Sequence, residues 1–267
     1  MERTVGRAWM IVWRRPLWKW RHFFLHLVLR DLRQKYRRSS LGFAWAFVNP
    51  MILFGIYHFV FSVVLDVPIE DYPFFLLSGL IPWLWFANSL TLSVSSLARD
   101  SNLIRKSPFP WELLPLRAIV VSSLDCFAGF AIVLSCLFVF RGSLPTSLLF
   151  LPLICLVQVS LMLCLVFPLA LFGALSRDME HLLSSFLRLL FFLTPIAYSL
   201  ENVPQKYRAL LELNPLAKLA QAFQDAIANG SCPEMGSLGL VALFCSIGSV
   251  FVFCLFKRLL HRLPEVV

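Results

Sequence analysis

Three ionisable side chains, His58, Asp125 and Arg188, fall inside otherwise apolar stretches of this 267-residue chain. A charge in such surroundings is costly, so each marks either a working position or a buried partner. Asp125 lies eight residues past Arg117, and Arg188 six residues past Leu182. If both helices start at one membrane face, the two groups reach depths of ~12 Å and ~9 Å at 1.5 Å per residue. Opposite charge at similar depth suggests an ion pair. Such a pair either fixes the helix arrangement or lines a substrate path. His58 reads as a hydrogen-bonded packing residue rather than a proton relay.

Other chemistry is excluded by what the chain lacks. None of the eleven glycines is followed by Lys, so there is no GxxxxGK[ST] loop to cradle ATP phosphates. No paired-Asp motif occurs in the polar connections, which disfavours a metal-dependent glycosyl or prenyl transferase. No Ser/His/Asp or Cys/His arrangement stands out. Six of the seven cysteines sit in apolar runs and no CxxC occurs, so neither a metal nor a redox site is expected. The pattern is that of a passage rather than a catalyst, with no catalytic residue, no metal ligand and no cofactor of its own.

The elements that must position these groups follow from composition. The chain is 59% hydrophobic and 15% charged, with a mean hydropathy of +0.77. Soluble domains run nearer about 45–50% apolar and 25% charged, so lipid must cover part of this surface. The net charge of +9 is unevenly placed: residues 1–42 hold eleven of the 24 Lys and Arg. That is a membrane-topology signal, and nucleic acid is not an expected partner. Six stretches reach the roughly 20 apolar residues of a spanning helix, at about 43–65, 74–97, 117–140, 147–172, 182–200 and 236–256. The fifth is the weakest because it carries Arg188. Nineteen Lys and Arg then fall at one border and four at the other, which places both termini in the cytoplasm. The first span is expected to act as its own signal. The expected fold is an all-α polytopic membrane protein, with a cytoplasmic N-terminal segment (1–42), a six-helix membrane domain (43–256) and a cytoplasmic tail (257–267).

Three segments are expected not to span. In 17–38, Leu25, Val28, Leu29, Leu32 and Tyr36 share one helical face while Arg30, Arg33 and Arg37 take another. This is a basic amphipathic helix lying on the inner leaflet, either a topology anchor or a border of substrate access. The loop 99–115 carries Leu103, Ile104, Phe109 and Trp111 among Pro108, Pro110 and Pro115. Such a loop either docks on another protein or packs on itself. In 201–235, Asn214 is a good N-cap, Pro215 a good first helical residue, and Gly230 a plausible stop. Leu216, Leu219, Phe223 and Ile227 line one face between them, as in a short helix dipping into the outer leaflet. Residues 204–213 form its expected partner.

Aromatic residues crowd two of the spans. Trp45, Phe47, Phe54, Tyr57 and Phe61 belong to the first, and Phe191, Phe192 and Tyr198 to the fifth. They read either as interface belts or as faces on which sugar rings stack.

Four strings then resemble one family in order: SSLGFAWAFVNP (39–50), SGLIPWLWFANSL (78–90), IRKSPFPWELLPL (104–116) and SRDMEHLLSSFLRLLFFLTPIAYSLENVPQKYRALLELNPL (176–216). They are similar to the permeases of type-two ABC exporters of O-antigen, teichoic acid or capsule. The resemblance implies a homodimer of six-helix subunits in the bacterial inner membrane, docked on two copies of a separate ATPase that binds ATP and Mg. A lipid-linked polysaccharide would cross at the dimer interface. It implies an ATPase-coupling segment at Asn102, Leu103, Ile104, Arg105, Lys106, Phe109 and Trp111. It also implies a channel lined from the first and fifth helices, where Trp45, Phe54, Tyr57, Phe61, Phe191, Phe192 and Tyr198 lie. The N-terminal helix would border lipid-substrate access, and two short external re-entrant helices would gate the outer end. Arg30, Arg33, Arg37 and Arg38 could attract a lipid diphosphate. The first 15–20 residues, rich in Trp and Arg, depart from the family pattern; they carry no assigned role, with surface anchoring as the default. The competing readings are a type-two permease for small hydrophobic drugs, a membrane-bound glycosyl or prenyl transferase, and a secondary transporter or channel that works without an ATPase.

Overall fold

The computed structural model describes residues 17–37, 42–64, 69, 71–106, 109–176 and 178–260. The described residues form helices joined by short turns, with no strand among them. A 3-10 turn, Leu17–Trp20, leads into α1 (Arg21–Arg37). Helix α2 (Trp45–His58) runs on into a π-helical turn, Phe59–Val64. Helix α3 (Tyr72–Val94) is followed by two short helices, α4 (Ser96–Arg99) and α5 (Ser101–Lys106). The long helices α6 (Leu113–Arg141) and α7 (Leu151–Leu175) come next, then α8 (Asp178–Phe192). Two short helices, α9 (Gln205–Glu212) and α10 (Pro215–Gln224), precede the last helix, α11 (Met235–Leu260).

Helix α3 is the axis of the bundle. It packs against α2, α6, α7, α8 and α10, and 72% of its most apolar window is buried. For the spans that include α2 and α11 the same share is only 11%. Where no water drives helices together, close backbone approach through small residues supplies the contact. Gly173 of α7 lies so near α3 that a Cβ there would meet the Val94 carbonyl oxygen at 1.8 Å. Ser93 donates across the same contact to the Val166 carbonyl at 2.6 Å. Gly129 of α6 likewise faces Ile81, where a Cβ would sit 3.0 Å from the side chain.

Among the described residues, five helices are long and apolar enough to cross a membrane: Gly42–Phe61, Tyr72–Val94, Leu113–Arg141, Thr146–Leu175 and Met235–Leu259. The stretch expected to be a span at 182–200 is different. Helix α8 has 15 residues, about 22 Å at 1.5 Å per residue, against a hydrocarbon core of about 30 Å. It ends at Phe192 because Pro195 cannot donate to a helix and disfavours helical geometry at Thr194. Segment 193–199 is therefore irregular, yet Thr194, Pro195, Ile196 and Ala197 are buried. Non-helical backbone among apolar surroundings is tolerated only where the protein satisfies it. Buried Gln224 donates to the carbonyls of Pro195 (3.0 Å) and Ile196 (3.3 Å). The Tyr72 hydroxyl donates to Ala197 (3.0 Å), and Asn214 Nδ2 to Thr194 Oγ1 (3.2 Å).

The signals read at 214–230 are all present. Asn214 caps α10 by accepting from the Leu216 N–H at 3.0 Å, and Pro215 opens the helix. Leu216, Leu219, Phe223 and Ile227 are buried, against α3, α7 and α11 among others. The chain leaves through Gly230 at φ 67°, a left-handed turn that glycine adopts without strain. At this end Arg141 forms a 2.6 Å ion pair with Asp71 and donates to Ala228 at 2.8 Å, tying α6, α3 and the turn after α10 together.

Replacing Gly173 by Ala pushes α3 and α7 apart, with an expected loss on the order of 1–3 kcal/mol from overpacking. A lowered melting temperature of the detergent-purified protein checks this, and an unchanged one contradicts the contact.

Candidate functional site

The most polar part of the molecule lies where α1, the α3–α6 connection and the start of α6 meet. Leu27 and Val28 are buried on α1, and the helical repeat carries Asp31 onto the same face one turn later. Asp100 occupies the turn between α4 and α5, where its carbonyl accepts from the Leu103 and Ile104 N–H groups. Arg117 stands in the second turn of α6, next to a first turn fixed by buried Leu113 and Leu114.

These three side chains form a closed set. Arg117, only 1% exposed, reaches Asp31 at 3.0 Å and Asp100 at 2.7 Å. Arg30 pairs with the other Asp100 oxygen at 2.7 Å, and Arg99 with Asp31 at 2.7 Å. Burial alone would raise the Asp100 carboxyl, but Arg117 and Arg30 more than offset it and hold it below the usual carboxylate range. Burial likewise works against the charge on Arg30, and Asp100 with Asp31 reverses that and raises it. Charged groups so enclosed persist only because each faces its opposite. The cluster makes α1, the connection and α6 one mechanical unit.

The connection itself is more enclosed than its composition suggests. Ile104, Phe109 and Trp111 are buried and Leu103 is half-buried. Phe109 packs on Phe23 of α1 with ring centroids 5.0 Å apart. Buried Glu112 pairs at 3.5 Å with Lys257, near the end of α11. Asn102 and Lys106 face outward, and the Arg105 side chain lies outside the described residues.

Helix α1 differs from the expected face. Leu25 and Leu29 are exposed, while Leu27, Val28 and Asp31 turn inward and Leu32 and Tyr36 are half-buried. Arg30 is drawn into the cluster, whereas Arg33 is exposed. The Arg37 side chain and Arg38 lie outside the described residues.

The expected Asp125–Arg188 pair is replaced by another. Asp125 accepts from Lys35 Nζ and from the Tyr36 hydroxyl, both at the end of α1. Burial, aided by the bond to Asp125, pushes the Tyr36 hydroxyl above its usual range and keeps it a donor. Arg188 is exposed on α8 and donates to Ser185 Oγ at 3.0 Å. The end of α1 brings Lys35 to Asp125, nearer than any cation of α8. His58 stacks between Phe54 (centroids 5.4 Å) and Tyr72 (5.9 Å). Its buried Nδ1 has no hydrogen-bond partner among the described residues, so ring stacking holds it rather than the expected hydrogen bond.

The aromatic residues of α2 and α8 converge. Tyr57 stacks on Phe191 at 4.9 Å, and Phe61 lies 6.4 Å from Tyr57. Phe191 is buried under Trp83 as well, while Phe192 and Trp45 are exposed. The Tyr198 hydroxyl donates to the Phe192 carbonyl at 2.9 Å.

The sequence reading did not single out Asp31, Asp100, Arg99 and Arg117 as a site. Two signals were available: an acidic residue within a basic helix, on the face of its buried Leu and Val, and an acidic–basic pair at the cytoplasmic mouths of two spans.

Among the described residues the molecule is an all-helical bundle with helices apolar enough to cross a membrane and this polar end. The chain belongs to the ABC-2 type transporter family, whose model matches residues 22–227. It is similar to an O-antigen export system permease protein, RfbA, of Myxococcus xanthus, with 34% identity over 231 residues that cover 85% of this chain and 88% of the relative. It is 30% identical to the RfbA protein of Klebsiella pneumoniae over 89% of this chain and 92% of that one. It is also 27% identical to the polysialic acid transport protein KpsM of Escherichia coli, over 82% and 86% of the two chains.

Removing one partner from the cluster leaves a buried charge exposed to nothing. Arg117→Leu is expected to cost about 3–5 kcal/mol, read as a large fall in melting temperature. Because folding lowers the Asp100 pKa, the stability it supplies is complete above the ordinary carboxylate value of about 4 and is lost as pH falls further. Asp100→Asn is expected to flatten that acid dependence in thermal melts taken between neutral and acid pH. A variant as acid-sensitive as the parent contradicts the pairing.

Proposed function

We propose that the chain is the membrane permease subunit of an ABC exporter that carries lipid-linked polysaccharide across the bacterial inner membrane, powered by a separate ATPase. The observation that carries this reading is likeness along nearly nine-tenths of the chain to two O-antigen export permeases. Two features of the molecule support it. The chain holds no phosphate-binding loop, so the energy must come from a partner, which would bind ATP and Mg. Its exposed apolar helices α2 and α11 suit lipid or a second copy rather than water.

On this reading the subunit works as a homodimer on two ATPase copies, with both termini cytoplasmic and α8 counted with segment 193–199 as the sixth crossing. Helices α9 and α10 act as the external re-entrant pair. The basic end then faces the cytoplasm, and α4–α5 is the coupling segment that meets the ATPase. Asn102 and Lys106 present its outward surface, while Ile104, Phe109 and Trp111 transmit the stroke into the bundle. The cluster on Arg117 passes that displacement to α1, which borders substrate access. Arg33 on α1 attracts the lipid diphosphate. Trp45, Phe54, Tyr57, Phe61, Phe192 and Tyr198 line the sugar path, with Phe191 supporting them from behind.

Deleting the gene is expected to remove long-chain polysaccharide from the cell surface, seen by surface labelling, while precursor accumulates inside; intact surface polysaccharide contradicts the proposal. Lys106→Glu is expected to lower the ATPase co-purified with a tagged chain by roughly tenfold, the scale of a contact worth about 1.4 kcal/mol. Arg33→Glu should leave that co-purification unchanged while reducing export.

A further inference from the structure

A cleft of about 530 Å³ opens beside the Lys35–Asp125 pair, bounded by the end of α1, the start of α2, α3 and α6. Its polar lining is Lys35, Tyr36, Asn49, Asn88 and Asp125. The rings of Trp45 and Trp85 form part of its wall. Asn49 and Asn88 are the unusual members. Both are exposed, and neither makes a side-chain hydrogen bond among the described residues. Their helices are otherwise apolar and long enough to cross a membrane. An unpaired carboxamide at membrane depth is costly unless water or a ligand completes it.

The lining changes character with depth. Helix α2 runs inward from the basic end, so Ile52 and Leu53 lie about a turn deeper than Asn49. Helix α3 runs the other way, so Ile81 and Leu84 lie deeper than Asn88. The cleft is polar at its mouth and apolar beneath, the profile of an amphiphile's headgroup and first methylenes. Its mouth lies at the basic end, within the first turns of α2.

The polar lining selects the kind of headgroup. Lys35 is already paired with Asp125, so the lining leaves no free cation to select a headgroup by charge. What remains unfilled is a pair of carboxamides, each offering donors and an acceptor, next to a carboxylate that accepts. Sugar hydroxyls, which both donate and accept, match this set, and the C–H face of a pyranose ring packs on indole. We infer that the cleft formed by Asn49, Asn88, Asp125, Trp45 and Trp85 binds the sugar proximal to the lipid in a membrane glycolipid. On α2 the cleft lies along the stripe that carries Tyr57, four residues past Leu53 and seven past Pro50, but nearer the basic end, so it receives the headgroup before the path that α2 and α8 line. The inference rests on the transport reading for the identity of the glycolipid.

The test uses the full chain purified in an amine-oxide detergent, which carries no sugar to compete. Native mass spectrometry follows retention of three probes: a polyprenyl diphosphate bearing one hexose, the same lipid without the sugar, and phosphatidylglycerol. The expected result is roughly tenfold preference for the hexose-bearing probe, the scale of two hydrogen bonds, lost in Asn49→Leu/Asn88→Leu. The double variant should melt no lower than the parent, because it removes unpaired polar groups. The inference is overturned if the parent holds all three probes equally, or if the double variant keeps the preference. Phosphatidylglycerol displacing the hexose-bearing probe also overturns it, since the headgroup held is then an ordinary phospholipid's. The readout is binding rather than export, so surface polysaccharide that survives gene deletion rejects the transport reading and leaves this measurement standing.

Discussion

A buried charge or an interrupted helix inside so apolar a chain must find its partners within the chain, and that constraint shapes both ends of this bundle. At the basic end it gathers Asp31, Asp100 and Arg117 with Arg30 and Arg99. At the other it clamps Arg141 on Asp71 and Ala228. Between them it accounts for the break after α8, where Gln224, Tyr72 and Asn214 supply the donors that an interrupted helix requires. Hydrophobic burial gives the helices their length, but these polar closures fix which helix meets which. A buried ion cluster is a weak source of net stability compared with apolar packing. Its value here is specificity: α1 has one place to sit.

That arrangement makes the molecule stiff along one line and bare along others. Helix α3 is enclosed and pinned to α7 through Gly173 and to α6 through Gly129. The connection α4–α5 follows the end of α3 and is tied to α1 and α6 through Asp100, which pairs with Arg30 and Arg117. Helices α2 and α11, by contrast, keep most of their apolar surface uncovered. The proposed transport role would use both properties: a rigid route for a partner's stroke and helix faces free to meet lipid, substrate or a second copy.

Much of this was legible in the residues. Apolar runs located α2, α3, α6, α7 and α11, and Asn214, Pro215 and Gly230 marked α10 and its exit almost to the residue. Those are local signals, carried by hydropathy, a cap and a left-handed turn. The fifth run was read as continuous because hydropathy ignores the Thr194–Pro195 break, which is expressed in backbone geometry. Asp125 was paired with the wrong cation because depth along a helix says nothing about an interface helix folding back from another part of the chain. The same blindness hid the Arg117 cluster, whose members come from three segments. For 99–115 docking and self-packing both stood open, and Ile104, Phe109 and Trp111 are buried, as self-packing requires.

The central claim is that this chain supplies the passage and another supplies the energy. Its most direct test is to reconstitute the purified chain in liposomes loaded with fluorescent lipid-linked polysaccharide, with and without its ATPase. Accessibility of the polymer to an external lectin is then followed after adding ATP to the side where the ATPase is bound. The account predicts ATP-dependent appearance of polymer on the far side only when both proteins are present, with no ATP hydrolysis by this chain alone. Hydrolysis by the chain alone, or polymer movement that ignores ATP and the ATPase, contradicts it.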